Sequence, residues 1–224
     1  MKFNTTLYTA REDSFDIEHP DVSIMSISSE VKIFPSHDGK SHVKILADSK
    51  KAVEKAGLVE VVESNGKLIV RFYKKSRTFW GIGDDWLDGL SVELMLPPSS
   101  DVKIKTVSGD IEVNQALASL QIGSISGDVK ISHNPETRCE VKTVSGDILT
   151  HTFSACDYKL KSISGDIRVF VAPDLTVEVD GSSVSGDLNS EISLYETPSE
   201  SANTGKVVRI TTSTISGDFN LVRN

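Results

Sequence analysis

Six copies of one short pattern constrain this 224-residue chain more than any other feature. TVSGDI occupies residues 106–111 and returns as SISGDV (124–129), TVSGDI (143–148), SISGDI (162–167), SVSGDL (183–188) and TISGDF (214–219). Anchored on Asp110, Asp128, Asp147, Asp166, Asp187 and Asp218, the steps are 18, 19, 19, 21 and 31 residues. Self-similarity at such a period marks a solenoid, in which units too short to bury their own apolar face stack and bury it jointly.

The columns around the anchor give each unit its form. Eight residues before it stand Val102, Leu120, Cys139 and Tyr158; six before, Ile104, Ile122, Val141 and Leu160. Three before come Val107, Ile125, Val144, Ile163, Val184 and Ile215; one after, Ile111, Val129, Ile148, Ile167, Leu188 and Phe219; and three after, Val113, Ile131, Thr150, Val169, Ser190 and Leu221. Spacing by two is the strand period, and the β-branched flanks suit strands. All these columns are expected in the stacked core, with the bend at Gly109-Asp110, Gly127-Asp128, Gly146-Asp147, Gly165-Asp166, Gly186-Asp187 and Gly217-Asp218. The last two repeats read as carrying two extra residues before the motif, a shared change of coil shape. The polar stretch 191–205 reads as a loop expelled from the repeat.

A further, degenerate copy lies upstream. With Glu30 as anchor, DVSIMSISSEVKIF puts Val22, Ile24, Ile27, Val31 and Ile33 into the same columns, with Ser29 in place of glycine. Residues 41–100 are less regular. HVKILA (42–47) alternates as a strand, and DSKKAVEKAGL (48–58) reads as a short capped helix. Residues 59–73 form a hairpin pattern around Asn65-Gly66, and LSVELMLP is one more strand. The expectation is all-β: a right-handed β-solenoid or β-helix-like stack of about seven coils. An N-terminal β-region with one short helix (1–100) precedes, and is continuous with, the repeat region (101–224).

Composition narrows the function. Net charge is −8, and residues 1–101 (13 basic, 16 acidic) and 102–224 (11 and 16) are both acidic, which argues against nucleic acid as partner. No apolar run of about 18 residues predicts a transmembrane helix. The N-terminal MKFNTTLYTAREDSF lacks a signal-peptide pattern, which makes the cytoplasm the default location.

Stacked coils repeat at about 4.8 Å, so the six aspartates form a column of like charges. Calcium as counter-ion is one reading. The other is structural, each Asp accepting local backbone N–H groups and the hydroxyls of Ser108, Ser126, Ser145, Ser164, Ser185 and Ser216. One carboxylate per coil is thin coordination and favours the second. Catalysis needs a non-repeating cluster, whereas these carboxylates recur once per coil. His133 and His151 fall out of register, and His37, Asp38 and His42 read as a solvated loop. Cys139 reads as a core residue and a disulfide to Cys156 is disfavoured. One segment breaks the pattern: KKSRTFWGIGDDWLDGL (74–90) places Phe79, Trp80 and Trp86 after Lys74, Lys75 and Arg77. It is either a plug for the stack end or a contact loop for a protein or membrane surface.

The recurring [ST]-[VI]-S-G-D-[ILVF] element, over about residues 22–222, resembles the bacterial SGD-repeat proteins labelled "putative adhesin", a family of unknown function. The resemblance implies a right-handed β-solenoid and an association with the cell envelope; it implies no activity. The expected role is a non-enzymatic, adhesin-like scaffold or binding protein without a cofactor. Its partner would be an unidentified protein, an envelope component or another copy of the chain. The alternatives are a calcium-dependent module using the Asp ladder and a glycan-binding or glycan-active β-helix.

Overall fold

A computed structural model describes residues 7–72, 89–192 and 206–224. In chain order its strands are β1 (Tyr8–Phe15), β2 (Asp21–Met25), β3 (Val31–Pro35), β4 (Ser41–Ala47), β5 (Glu60–Ser64), β6 (Lys67–Arg71) and β7 (Leu90–Leu96). The repeats then supply β8 (Asp101–Lys105), β9 (Ile111–Val113), β10 (Ser119–Gly123), β11 (Val129–Ile131), β12 (Arg138–Lys142) and β13 (Ile148–Thr152). They end with β14 (Asp157–Lys161), β15 (Ile167–Val171), β16 (Thr176–Ser183), β17 (Leu188–Ser190), β18 (Val207–Thr214) and β19 (Phe219–Arg223). One helix, α1 (Lys50–Lys55), lies between β4 and β5, with Ser49 capping it by accepting the Ala52 N–H at 3.2 Å.

The strands form two sheets, parallel for most of their width. Sheet A runs β1-β4-β7-β3-β9-β11-β13-β15-β19-β17 and sheet B runs β16-β18-β14-β12-β10-β8-β2-β6-β5. Each repeat puts the strand before its turn in sheet B and the strand after it in sheet A. The five columns at −8, −6, −4, +1 and +3 face each other between the sheets, and one apolar cluster runs from Ile17 to Leu221. The upstream copy takes its expected place. Val22 pairs with Val102, Ile24 with Ile104, Val31 with Ile111 and Ile33 with Val113.

Three expectations are corrected. The coils do not stack in sequence order: β18 and β19 insert between β14/β15 and β16/β17, so the Asp218 turn sits between those of Asp166 and Asp187. The stretch 191–205, expected as an expelled loop, lies outside the described residues from 193 onward. Second, the last two repeats carry no extra residues. Tyr158 pairs with Ile210, Leu160 with Thr212 and Lys161 with Ser213, an unbroken register. The apolar −6 position has simply become Thr212 and Gly181. Third, Val107, Ile125, Val144, Ile163, Val184 and Ile215 are not in the core; they are exposed.

The N-terminal stretch follows its pattern closely. β5 and β6 form the antiparallel hairpin, with Asn65 (φ 53°) and Gly66 (φ 77°) in the left-handed region that a two-residue type I′ turn requires. β1 and β4 add antiparallel to β7 and close that end of sheet A. β6 and β7 stack beneath β2 and β3. The segment holding Lys74, Lys75, Arg77, Phe79, Trp80 and Trp86 connects them and lies outside the described residues.

Candidate functional site

The repeated turn can be built one donor at a time, because every backbone N–H must find an acceptor. The Ser/Thr that opens each hexapeptide keeps the inward parity of the preceding strand, and Ser26, Thr106, Ser124, Thr143, Ser162 and Thr214 are buried. Except at Thr106, whose Oγ1 is buried without a partner, its hydroxyl accepts the N–H of the glycine three residues on: Gly127 to Ser124 Oγ at 3.1 Å, Gly146 to Thr143 Oγ1 at 3.0 Å, Gly165 to Ser162 Oγ at 2.8 Å. The next residue, Val or Ile, is thereby turned outward. The following serine N–H reaches the preceding coil, as from Ser126 to the Val107 carbonyl at 2.8 Å. The N–H after the aspartate reaches the coil ahead, as from Val129 to the Asp147 carbonyl at 2.8 Å.

Glycine is required by close approach. A Cβ on Gly127, Gly146, Gly165, Gly186 or Gly217 would lie 2.0–2.2 Å from the carbonyl oxygen of the stacked glycine behind it. No side chain fits there. Gly109 in turn stacks on Ser29, its Cβ position 2.2 Å from the Ser29 carbonyl oxygen.

The aspartates bond along the stack. Asp110 Oδ1 accepts the Asp128 N–H at 3.0 Å, Asp128 that of Asp147 at 3.0 Å, and Asp147 that of Asp166 at 2.9 Å. Asp166 then accepts from Asp218 at 3.0 Å and Asp218 from Asp187 at 2.9 Å. A bond to a carboxylate contributes about 1.5–3 kcal/mol, whereas like charges one coil apart repel by about 1 kcal/mol in water-like surroundings. The bond wins. The serines expected to serve the carboxylates instead donate backward, Ser126 Oγ to the Val107 carbonyl and Ser145 Oγ to that of Ile125, each at 3.3 Å. Among the described residues no three His, Cys, Asp or Glu side chains converge on a point where a metal would bind.

Two surface features follow from this architecture. The outward Val/Ile column forms an apolar ridge, from 40% exposed at Val144 to 81% at Val184, with the Asp ladder beside it. On the outer face of sheet A, a shallow groove runs between Asp128, Asp147 and Asp166 and the side chains of Lys130, Leu149 and Arg168. Beyond it rings gather: His151 stacks on Phe170 at 4.8 Å, and Phe153 lies 5.7 Å from His133 and 6.5 Å from His151. Sequence reasoning missed this cluster because His133 and His151 fall at different offsets. His151 and Phe170 are register partners on β13 and β15, and Phe153, just past β13, joins His133 to them.

Inside, Cys139 and Cys156 are free and buried, as their columns suggested. Burial holds the Cys139 thiol and the Tyr158 phenol well above their ordinary ranges and pushes Cys156 up to about 12. The Tyr158 hydroxyl accepts from Thr152 Oγ1 at 2.8 Å. In the loop that ends at β4, Asp38 pairs with His42 Nε2 at 2.9 Å, and that bond holds its carboxyl below the usual range. No helix among the described residues is long and apolar enough to cross a membrane.

The same architecture is found in known structures. A "putative cell adhesion protein" from Clostridium sporogenes superposes with a TM-score of 0.57 at 12% identity, covering 96% of this chain and 99% of that one. A "putative adhesin" from Bacteroides fragilis gives 0.53 at 11% identity, covering 98% of both. At these identities the likeness is one of fold. No curated protein matches the sequence. The family model described as Toastrack DUF4097 matches residues 98–222, more than half of the chain, and this protein belongs to that family.

Proposed function

We propose that this protein is a non-catalytic, adhesin-like binding module, a right-handed solenoid of about seven coils that offers its outer ridge to a protein or envelope partner. One observation carries the reading: Val107, Ile125, Val144, Ile163, Ile215 and Val184 form a single exposed apolar column. Side chains chosen only to be wet at a corner would be polar in several of six coils, and contiguous exposed apolar surface marks contact sites. The two structural neighbours, named as a cell adhesion protein and an adhesin, agree with it. Handedness rests on the strong preference of parallel crossovers for the right-handed sense. The segment with Trp80 and Trp86 is a second proposed contact, connecting β6 and β7 at the far end from β16.

The decisive comparison uses Ile125→Thr, Val144→Thr and Ile163→Thr together. Threonine is β-branched, so melting should change little, while the proteins retained from the native bacterium by the immobilised chain should be lost. If the triple variant retains the same set, the ridge has no such role. Trp80→Ala with Trp86→Ala, assayed alongside, isolates the loop.

The ring cluster favours a second reading, a glycan-binding face, since Phe153 is half exposed beside the rings of His133 and His151. Oligosaccharide binding that disappears in Phe153→Ala and Phe170→Ala would select it over the first.

A further inference from the structure

Sheet B ends on β16 with nothing beside it among the described residues. Thr176 N–H bonds inward to the Lys206 carbonyl at 3.1 Å. A parallel strand points its groups to alternate sides, so the N–H groups of Val177, Val179, Gly181 and Ser183 face away from β18. In the interior the groups equivalent to Ser183 N–H are used: Ser162 donates to the Ser213 carbonyl at 3.0 Å and Thr143 to that of Lys161 at 2.9 Å. The apolar positions of the terminal coil are equally unfinished. Leu188 is 49% exposed, whereas its column-mates Ile111, Val129, Ile148, Ile167 and Phe219 are buried.

The charge of this end is one-sided. Residues 169–192 hold Asp174, Glu178, Asp180, Asp187 and Glu191 and no Lys, Arg or His. Arg209 of β18 answers Glu178 at 3.0 Å, and Lys206, just before β18, answers Asp174 at 3.7 Å. Asp180 and Asp187 have no cation among the described residues, and Asp187, last of the ladder, accepts no N–H from a following coil.

We propose that β16 is a docking edge for an extended, lysine- or arginine-rich segment of a partner protein, which joins sheet B as an added strand. Alternation sets its pattern. Cationic side chains would lie over Glu178 and Asp180 on the outer face, and apolar ones between them would cover Val177 and Val179. A second copy of the chain is the wrong occupant, since a two-fold pairing of these edges brings acidic strand against acidic strand. The acids thus keep the edge from self-pairing, as exposed edges must, while leaving it open to a cationic strand.

The probe is a synthetic peptide as long as β16, alternating valine and lysine, titrated against the full chain, with a valine–glutamate peptide as control. Saturable binding of the lysine peptide alone is expected, weakened about tenfold when salt rises from about 0.05 to about 0.3 M. Val179→Pro removes one outward N–H and no bond within the stack, a placement edge strands tolerate, and should abolish binding. Should that variant fold poorly, Glu178→Lys with Asp180→Lys should weaken binding at least about tenfold. No binding, binding that ignores Val179→Pro in a folded variant, or equal binding of the glutamate peptide overturns the proposal. So does sedimentation showing the chain dimerising through this edge. The ridge variants leave β16 untouched, so the two readings fail separately.

Discussion

The turn at Asp147 and the turn at Asp187 are written in nearly the same six residues, yet only one is held from both sides. Around Asp147, the Gly146 backbone packs on Gly127, the carboxylate binds the Asp166 N–H, and Ile148 is buried. Around Asp187, Gly186 packs on Gly217 in the same way. Among the described residues nothing follows on the other side: the carboxylate has no N–H behind it, Leu188 is half exposed and Val184 is the most exposed of its column. The motif codes for a surface that is complete only when copied, so the last copy is stable at its inner face and reactive at its outer one.

Substituting the glycines breaks this comparison most forcefully. Gly146→Ala puts a methyl group 2.0 Å from the Gly127 carbonyl oxygen with coils locked on both sides. A cost beyond about 4 kcal/mol, or loss of the folded state, is expected by urea titration. Gly186→Ala meets the same clash, but its coil can lift away, so the damage should be smaller and confined by hydrogen exchange to β16 and β17. Gly123→Ala, where a Cβ meets nothing within 4 Å, should stay within about 0.5 kcal/mol of the parent. Equal costs for Gly146→Ala and Gly186→Ala would mean that both turns are equally constrained.

The central coils, unlike the terminal one, enclose groups that titrate at high pH. An unfolded thiol releases its proton near 9.0, while folded Cys156 retains it to about 12. Cys139 and Tyr158 are shifted in the same direction. Above pH 9 the folded state therefore binds more protons than the unfolded one, and stability must fall as pH rises between those values. Melting measured from about pH 8 to about pH 11 should drop more steeply for the parent than for Cys139→Val with Cys156→Ala. Parallel slopes would show that the thiols do not contribute.

The smallest effects belong to the ladder. Asp147→Asn keeps an oxygen for the Asp166 N–H and removes a like charge, so melting should hold or rise slightly, most at low salt. Asp147→Ala orphans that N–H and should cost about 1–3 kcal/mol. Asp187→Ala has no following N–H to orphan and should cost almost nothing. A large loss in Asp147→Asn would restore the case for a bound cation.

Much of the fold was legible because in-register stacking places identical columns over one another. The offsets −8, −6, +1 and +3 located the core strands, and five matching positions located the coil at Glu30 although Ser29 and Glu30 had replaced its Gly-Asp. The outward turn of Val107 and its column was also within reach. Positions −8 and −6 point inward, so period two makes −4 the next inward position, and Ser124, Thr143 and Ser162 stand there as hydroxyls that accept the glycine N–H. Taking hydrophobicity as burial hid this. The ring cluster was less accessible, since Phe153 and His133 lie on connecting segments whose path depends on the coils beneath them.

By itself the sequence determined that the chain is a stack, where each coil bends, and that glycine and aspartate serve the bend. The order of the stack was decided only in three dimensions. Every coil presents nearly the same faces to its neighbours, so local pattern cannot tell whether the Asp187 or the Asp218 turn follows that of Asp166. In the folded chain the second follows, leaving β16, with its acids and outward N–H groups, as the edge of sheet B among the described residues.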